Sequence, residues 1–384
     1  MRVALLTREF PPEVYGGAGV HVEHLAAALA AAEGVAVRVH AYGRPRPSSL
    51  VEATYQPLGA LEGVLGNLSV NLQMAAGVAG ADVVHSHTWY ANFAGRLAQL
   101  LHGVPHVMTT HSLEPRRPWK ADQLGGGYAV SQFCERTGIE SADAVIAVSR
   151  AMKADILDAY PAVQPDRVTV VHNGIDADVY RPDPGTAVLD KHGIDPARPS
   201  VLFLGRLTPQ KGVMELLDSA ERLDQAAQLV LCAGQPDTEG FAGQVADRVD
   251  NLRRSRDGVI WIEGMLDRAD TVQILTAATV FVCPSLYEPF GLVNLEAMAC
   301  ETAVVAHAVG GIPEIVVEGE TGHLVTVGDD LAAPVNALIA DPERAAAMGR
   351  AGRQRVLAAF TWDRIAARTA DLYRSLNAKT SGDP

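Results

Sequence analysis

The sequence predicts an α/β protein built from two Rossmann-like, doubly wound domains. Three observations predict it. The chain has 384 residues, the length of two ordinary domains. Short β-like runs alternate with helix-like stretches, the signature of parallel sheets assembled from strand–helix–strand units. The alternation passes through a turn-rich segment and then restarts near Ser200, and two such series in succession make two doubly wound domains.

In the first series the expected strands are Arg2–Thr7, Val35–Tyr42, Asp82–His87, His106–His111, Ala144–Ser149 and Val168–His172. The helix-like stretches between them are Gly19–Ala32, Asn92–His102, Tyr128–Ile139 and Arg150–Ala159. Met1–Thr7 resembles the start of a signal peptide. Arg8 and Glu9 cut it short, however, and no small-residue cleavage site follows, so it is expected to be a buried first strand. The segment HNGIDADVYRPDPG is rich in Gly, Asp and Pro, the composition of a turn-filled connection, and places the boundary between His172 and Pro199. The second series has expected strands Ser200–Leu204, Gln228–Ala233, Val259–Glu263, Thr279–Pro284 and Ala303–His307, with helices between, the first a helix-like stretch at Val213–Leu223. The expected division is 1–175, 176–360 and a last segment, 361–384, with a helix over Asp363–Leu376 that can cross back to the N-terminal domain.

Composition narrows the function. The hydrophobic fraction is 48% and the charged fraction 20%, ordinary for a soluble globular protein. No apolar run approaches the roughly 20 residues that span a bilayer. Cys134, Cys232, Cys283 and Cys300 are scattered without a C-x-x-C pair, which fits reduced thiols in the cytoplasm. The formal net charge is −13. Residues 1–171 hold 13 Lys+Arg against 15 Asp+Glu, and the remainder 19 against 30, so the acidity is concentrated in the second half. Nucleic acid is therefore an unexpected partner. A small anion bound in that half needs a local cluster of donors.

In open parallel sheets ligands bind beyond the carboxyl ends of the strands, so the loops there matter most. The first is EFPPEVYGGAGVH, Glu9 to His21. Gly16, Gly17 and Gly19 precede a helix, where glycines let a backbone approach a ligand and the helix start offers N–H donors to an anion. A tight strand-to-helix turn explains them equally well. The second is GRLTPQKG, Gly205 to Gly212, in which Arg206 and Lys211 can converge on a diphosphate, the one as a fork and the other as a point charge. A solvated surface pair has the same sequence. The third is SLYEPFGLVNLEAMAC, Ser285 to Cys300. A helix is expected to begin near Leu292, with Glu296 on its first turns and Glu288 in the loop ahead. The N–H groups of Gly291, Leu292 and Val293 then face an anion, while the two carboxylates accept from sugar hydroxyls.

Together, in this order, these loops resemble those of the retaining glycosyltransferases of the GT-B type, family 4. The Val171–Asp176 segment VHNGID and GGIPEIVVEGETGHLV, Gly310 to Val325, match as well, so the resemblance covers nearly the whole chain. At finer grain MRVALLTREFPPEVYGGAGVHV, THSLEPRRPWKADQLGGGY and the run to ADAVIAVS are similar to bacterial maltose-1-phosphate synthases, which are often labelled family-4 glycogen synthases. The resemblance implies two domains facing a central cleft, an acceptor-side first domain and a nucleotide-sugar-binding second one. It implies that Arg206 and Lys211 hold the donor diphosphate, Glu296 the ribose, and Gly17 the distal phosphate. Glu288 would approach the transferred glucose, and His111 would lie beside the reacting sugar. ADP-glucose as donor and a homodimer are likewise implied by the resemblance alone. The related family-5 enzymes carry K-T-G-G in the first loop; here Val14-Tyr15-Gly16-Gly17 offers no lysine.

For the acceptor, Arg116, Arg117 and Lys120 around Trp119 form a tight basic cluster suited to the phosphate of glucose 1-phosphate, or else an exposed basic loop. Met265 and Leu266 are expected to line the base pocket. No metal is expected. Asp176-Ala177-Asp178 reads as a turn rather than a D-x-D metal site. His85 and His87 are expected to project to opposite faces of their strand, which would separate them as ligands. Rival readings are elongation of glucan ends, a family-4 transferase with another donor or a lipid-linked acceptor, a sugar-nucleotide epimerase, and a non-catalytic sugar-nucleotide sensor. The acidic balance and the absence of a basic, apolar surface helix count against the lipid-linked acceptor.

Overall fold

The computed structural model describes residues 1–234, 236–264 and 266–381. The chain divides into two compact units, one of Met1–Gly174 with the segment from Trp362 on, the other of Ile175–Thr361. Among the described residues no helix is long and apolar enough to cross a membrane. All four cysteines are free and buried.

The first unit is a seven-stranded sheet of β1 (Arg2–Thr7), β2 (Ala36–Tyr42), β3 (Val51–Tyr55), β4 (Val83–His87), β5 (His106–Thr110), β6 (Ala144–Ala147) and β7 (Val168–Val170). The strands run in the order β3-β2-β1-β4-β5-β6-β7, and all pairings are parallel. Burial on both faces follows from alternation along β1. Val3 and Leu5 join a core with Leu25 and Leu29 of helix Gly17–Ala31 and with Ile365 and Tyr373 of the last helix, Trp362–Ser381. Ala4 and Leu6 face the other way, against Val70 and Met74 of helix Gly63–Gly77 and Ala94 and Ala98 of helix Trp89–His102.

The second unit is a six-stranded sheet of β8 (Ser200–Arg206), β9 (Gln228–Gly234), β10 (Val259–Ile262), β11 (Val280–Cys283), β12 (Ala303–His307) and β13 (Gly322–Val325). Its order is β10-β9-β8-β11-β12-β13, again all parallel. Val201, Phe203, Leu229, Leu231, Val280, Val282 and Val305 form its core with Leu216, Val245 and Val335 from the helices. In both sheets the order reverses beside the unit's first strand, between β1 and β4 and between β8 and β11. Such switch points open a crevice at the carboxyl ends of the two strands.

Among the elements that the sequence-based expectation did not name are β3, β13 and helix Gly63–Gly77. The helix buries Asn67, Ser69 and Asn71, and these polar residues on its inner face mask its period. Asn71 is there because it serves as a connector: its Nδ2 donates to the carbonyls of Asn67 and Tyr90, and its Oδ1 accepts from Ala94 N.

Candidate active site

In the second unit the loops after β8 and β11 flank the switch point and are stitched together. Leu286 N donates to Gln210 O at 2.9 Å, and Gln210 Nε2 to Tyr287 O at 2.9 Å. Gly212 has φ +65°, and a Cβ there would run into the Pro284 carbonyl oxygen. Only glycine allows both that backbone and that approach. The result brings Lys211 Nζ to 2.7 Å from Glu288 Oε2, with Ser285 Oγ donating to the same oxygen at 3.3 Å. Burial works against the Lys211 ammonium, but Glu288 more than offsets it, and its pKa is held above the ordinary value. Arg206 is half exposed at 48% and leans towards Asp237 at 3.7 Å, so its guanidinium is available to an anion.

A second glycine pair fixes Glu288 from behind. Gly311 N donates to Glu288 O at 3.0 Å, and Gly310 at φ +54° sits where a Cβ would run into that same carbonyl. The helix expected near Leu292 begins there, spanning Leu292–Ala299, with Gly291 at φ 107° as its N-cap and no side chain capping it. Its first N–H groups, on half-buried Leu292 and Val293, are therefore presented for an anion. Glu296, one turn on, bonds to Tyr180, and burial pushes its carboxyl up to about 7. Leu266 is half-buried just ahead of helix Arg268–Ala277, whose N-cap Asp267 accepts from Asp270 N. Met265 lies outside the described residues. Asp176 Oδ1 accepts from the backbone N–H of Asp178 and Val179, the turn role expected of it.

In the first unit Gly16 caps helix Gly17–Ala31 in an extended conformation, again without a side-chain cap. The loop before it is held by a residue that motif reading passed over. Glu9 Oε2 accepts from Tyr15 N at 2.7 Å and Gly16 N at 2.8 Å. Gly19 is required because any Cβ would lie 2.7 Å from that carboxylate. At the ends of β4 and β5 stands a histidine cluster. His87 Nδ1 is 3.2 Å from His111 Nε2, and the ring of His21 lies 5.4 Å from that of His87 and 4.7 Å from that of His111. Burial lowers the His21 pKa to about 4 and holds His87 and His111 well below the ordinary value, so all three are neutral. Thr88, directly after His87, has φ 63° and ψ 161°, a region populated essentially by glycine. The loop after β4 thus stores strain of about 1–3 kcal/mol beside the cluster.

Two expectations are corrected. His85 and His87 share one face of β4, as residues two apart in a strand must, and their rings are 4.2 Å apart. His85 is nonetheless committed elsewhere, its Nδ1 to Tyr373 OH at 2.6 Å and its Nε2 to Thr109 Oγ1 at 2.7 Å. Nor is the cluster of Arg116, Arg117 and Lys120 a free basic patch. Arg116 pairs with Asp155 at 3.0 Å and Asp158 at 2.7 Å. Arg117 and Lys120 lie 2.5 and 3.5 Å from the wholly buried Glu114 carboxylate, so an incoming phosphate must displace a partner of each.

Comparison with known proteins decides the family. Residues 15–179 match Glycosyltransferase Family 4, and residues 186–355 match the Glycosyl transferases group 1. The chain is 53% identical, over 98% of its length and 100% of the relative's, to an Alpha-maltose-1-phosphate synthase of Mycolicibacterium smegmatis. The chain belongs to glycosyltransferase family 4. As a member of that family it is a hexosyltransferase with two GT-B-type Rossmann-like domains. A Glycogen synthase of Mycobacterium tuberculosis is 32% identical over 97% of this chain and 94% of its own. Among solved structures, a Sucrose-phosphate synthase from Thermosynechococcus elongatus superposes with a TM-score of 0.82 at 27% identity, over 98% of this chain and 99% of its own.

Proposed function

We propose that this chain is a retaining glucosyltransferase of α-glucan synthesis, moving glucose from ADP-glucose to glucose 1-phosphate to form α-maltose 1-phosphate. The observation that carries the reading is the 53% identity, along the whole chain, to a protein named for that product. The geometry of the second unit supports the donor half. Departure of the nucleotide builds charge on the diphosphate, and the Arg206 guanidinium, the Lys211 ammonium and the uncapped N–H groups of Leu292 and Val293 stand at one switch point to stabilise it. Preorganised donors of this kind do not reorganise as the charge develops. No metal is needed for that task.

Glu288 is assigned to the transferred sugar. Its salt bridge with Lys211 orients it, and Ser285 Oγ donates to the same oxygen. Glu296 is assigned to the ribose, Leu266 to the base, Gly17 N–H to the distal phosphate and His111 to the reacting sugar. Neutral His111 suits a hydrogen bond to a hydroxyl better than proton transfer, because burial disfavours its charged form. Among the described residues of this loop, Glu288 is paired with Lys211 and Glu296 bonds to Tyr180, so neither carboxylate is left unpartnered as a nucleophile. Attack is therefore assigned to the donor's own face, assisted by the leaving phosphate.

Offering ADP-glucose with glucose 1-phosphate or glycogen separately, and identifying products by mass, tests the reading. A disaccharide phosphate and fast ADP release with glucose 1-phosphate are expected. Release only with glycogen would make the chain an elongating synthase, and turnover only with another nucleotide sugar would overturn the donor. Arg116→Ala tests the acceptor cluster: an unchanged KM for glucose 1-phosphate removes Arg116 from the site.

A further inference from the structure

The histidines of the first unit meet a requirement that glucosyl transfer does not impose. One ring nitrogen from each of His21, His87 and His111 lies within 4.8 Å of the other two. His87 Nδ1 and His111 Nε2 are 3.2 Å apart. Two nitrogens bound to one tetrahedral ion at about 2.0–2.1 Å are separated by about 3.3–3.4 Å, so this pair already has the spacing of a coordination edge. His21 is tuned from behind. Its Nδ1 donates to Asn173 Oδ1 at 2.8 Å, which leaves a lone pair on Nε2. That Nε2 is buried without a hydrogen-bond partner among the described residues, as is His87 Nε2. His111 is only half-buried and gives the group its access.

We propose that His21, His87 and His111 form a tris-imidazole site for a divalent first-row transition ion of the zinc class, with Asn173 as the outer partner that orients His21. Three neutral imidazoles leave a fourth position for water or an anion, the open arrangement typical of three-histidine zinc sites. The ion replaces the His87–His111 hydrogen bond and draws His21 inward by rotation of its ring. Soft thiolate is absent from the group and carboxylate too, so calcium and magnesium are disfavoured. An occupied site withdraws His111 from any other partner, so the ion acts as an inhibitor; that consequence, unlike the binding, rests on the placement of His111 at the reacting sugar.

The test uses the full, untagged chain. Titration with Co²⁺ is expected to give the intense visible ligand-field bands of a tetrahedral site at one equivalent, displaced by Zn²⁺, and Zn²⁺ is expected to raise the melting temperature. His21→Ala abolishes the bands, and Asn173→Ala, which leaves all three ligands in place, weakens Zn²⁺ binding by about 10–100-fold. His102→Ala, at an exposed histidine away from the group, leaves binding unchanged. Absence of tetrahedral bands in the unaltered chain, or binding indifferent to both His21→Ala and Asn173→Ala, overturns the proposal. Glucosyl transfer is read separately. Co²⁺ binding without inhibition leaves the site standing and removes His111 from the reacting sugar, whereas inhibition reversed by a chelator supports both.

Discussion

Glu135 shows how a single buried carboxyl writes a pH dependence into this fold. It is 3% exposed, accepts from Glu114 N and from Tyr160 OH at 2.6 Å, and faces the Glu114 carboxylate and the Arg117 guanidinium. Burial pushes it up to about 7. In the unfolded chain it titrates near 4.3, so the folded state holds the proton more tightly. Its contribution is therefore fully present below about pH 4.3, falls as pH rises, and is lost above about pH 7, a change on the order of 3–4 kcal/mol. Glu135→Gln removes this component. Melting curves should show the variant gaining on the unaltered protein between about pH 4.5 and 7.5; a constant offset would contradict the assignment. At the same scale, Glu9 and Thr88 mark what motif reading passes over. Neither belongs to a recognisable pattern, because each acts through a local backbone geometry that appears only after folding.

Among the elements, the loop after β11 depends on the turn at Gly310-Gly311 that backs it. Gly310→Ala introduces both a left-handed alanine and a clash with the Glu288 carbonyl. A loss of about 2–4 kcal/mol is expected, with kcat falling because Glu288 moves. Urea unfolding and steady-state kinetics on the variant would show it; wild-type stability would mean that the turn can relax freely. Element by element, legibility followed how cleanly a segment carried its period. β1, β12 and helix Arg150–Ala159 lie where the sequence places them, as does the helix start at Leu292. β3, at the sheet edge, pairs with β2 through a register shift, and β13 opens with Gly322, so neither stands out in the sequence. Helix Gly63–Gly77 is hidden by its buried asparagines and serine. The second unit's candidate site is legible because its groups sit in two loops of recognisable pattern. The histidine group is not, since His21, His87 and His111 come from one helix and the ends of two strands, and only the β1-β4-β5 adjacency brings them together. The pairing within the basic cluster is not legible in sequence, because Asp155 and Asp158, the partners of Arg116, lie on another helix, and only the fold turns the Glu114 carboxylate towards Arg117 and Lys120.

For the whole molecule, the last helix matters most. Although it follows the second unit in sequence, Ile365, Ala366, Ala370 and Tyr373 complete the core of the first, and Tyr373 OH holds His85 beneath the histidine group. Removing residues 362–384 is expected to strip amide-exchange protection from β1 to β7 while leaving β8 to β13 protected. Equal loss in both units would mean that they unfold as one. In the second unit, Lys211, held by Glu288 at the switch point, is assigned to the charge of a departing nucleoside diphosphate. The most direct measurement is the initial rate of ADP release by Lys211→Ala at saturating ADP-glucose and glucose 1-phosphate. A fall in kcat of about 10²–10³-fold, with the fold intact by circular dichroism, is the predicted result. An unchanged kcat would contradict it and reduce the Lys211–Glu288 pair to a structural salt bridge.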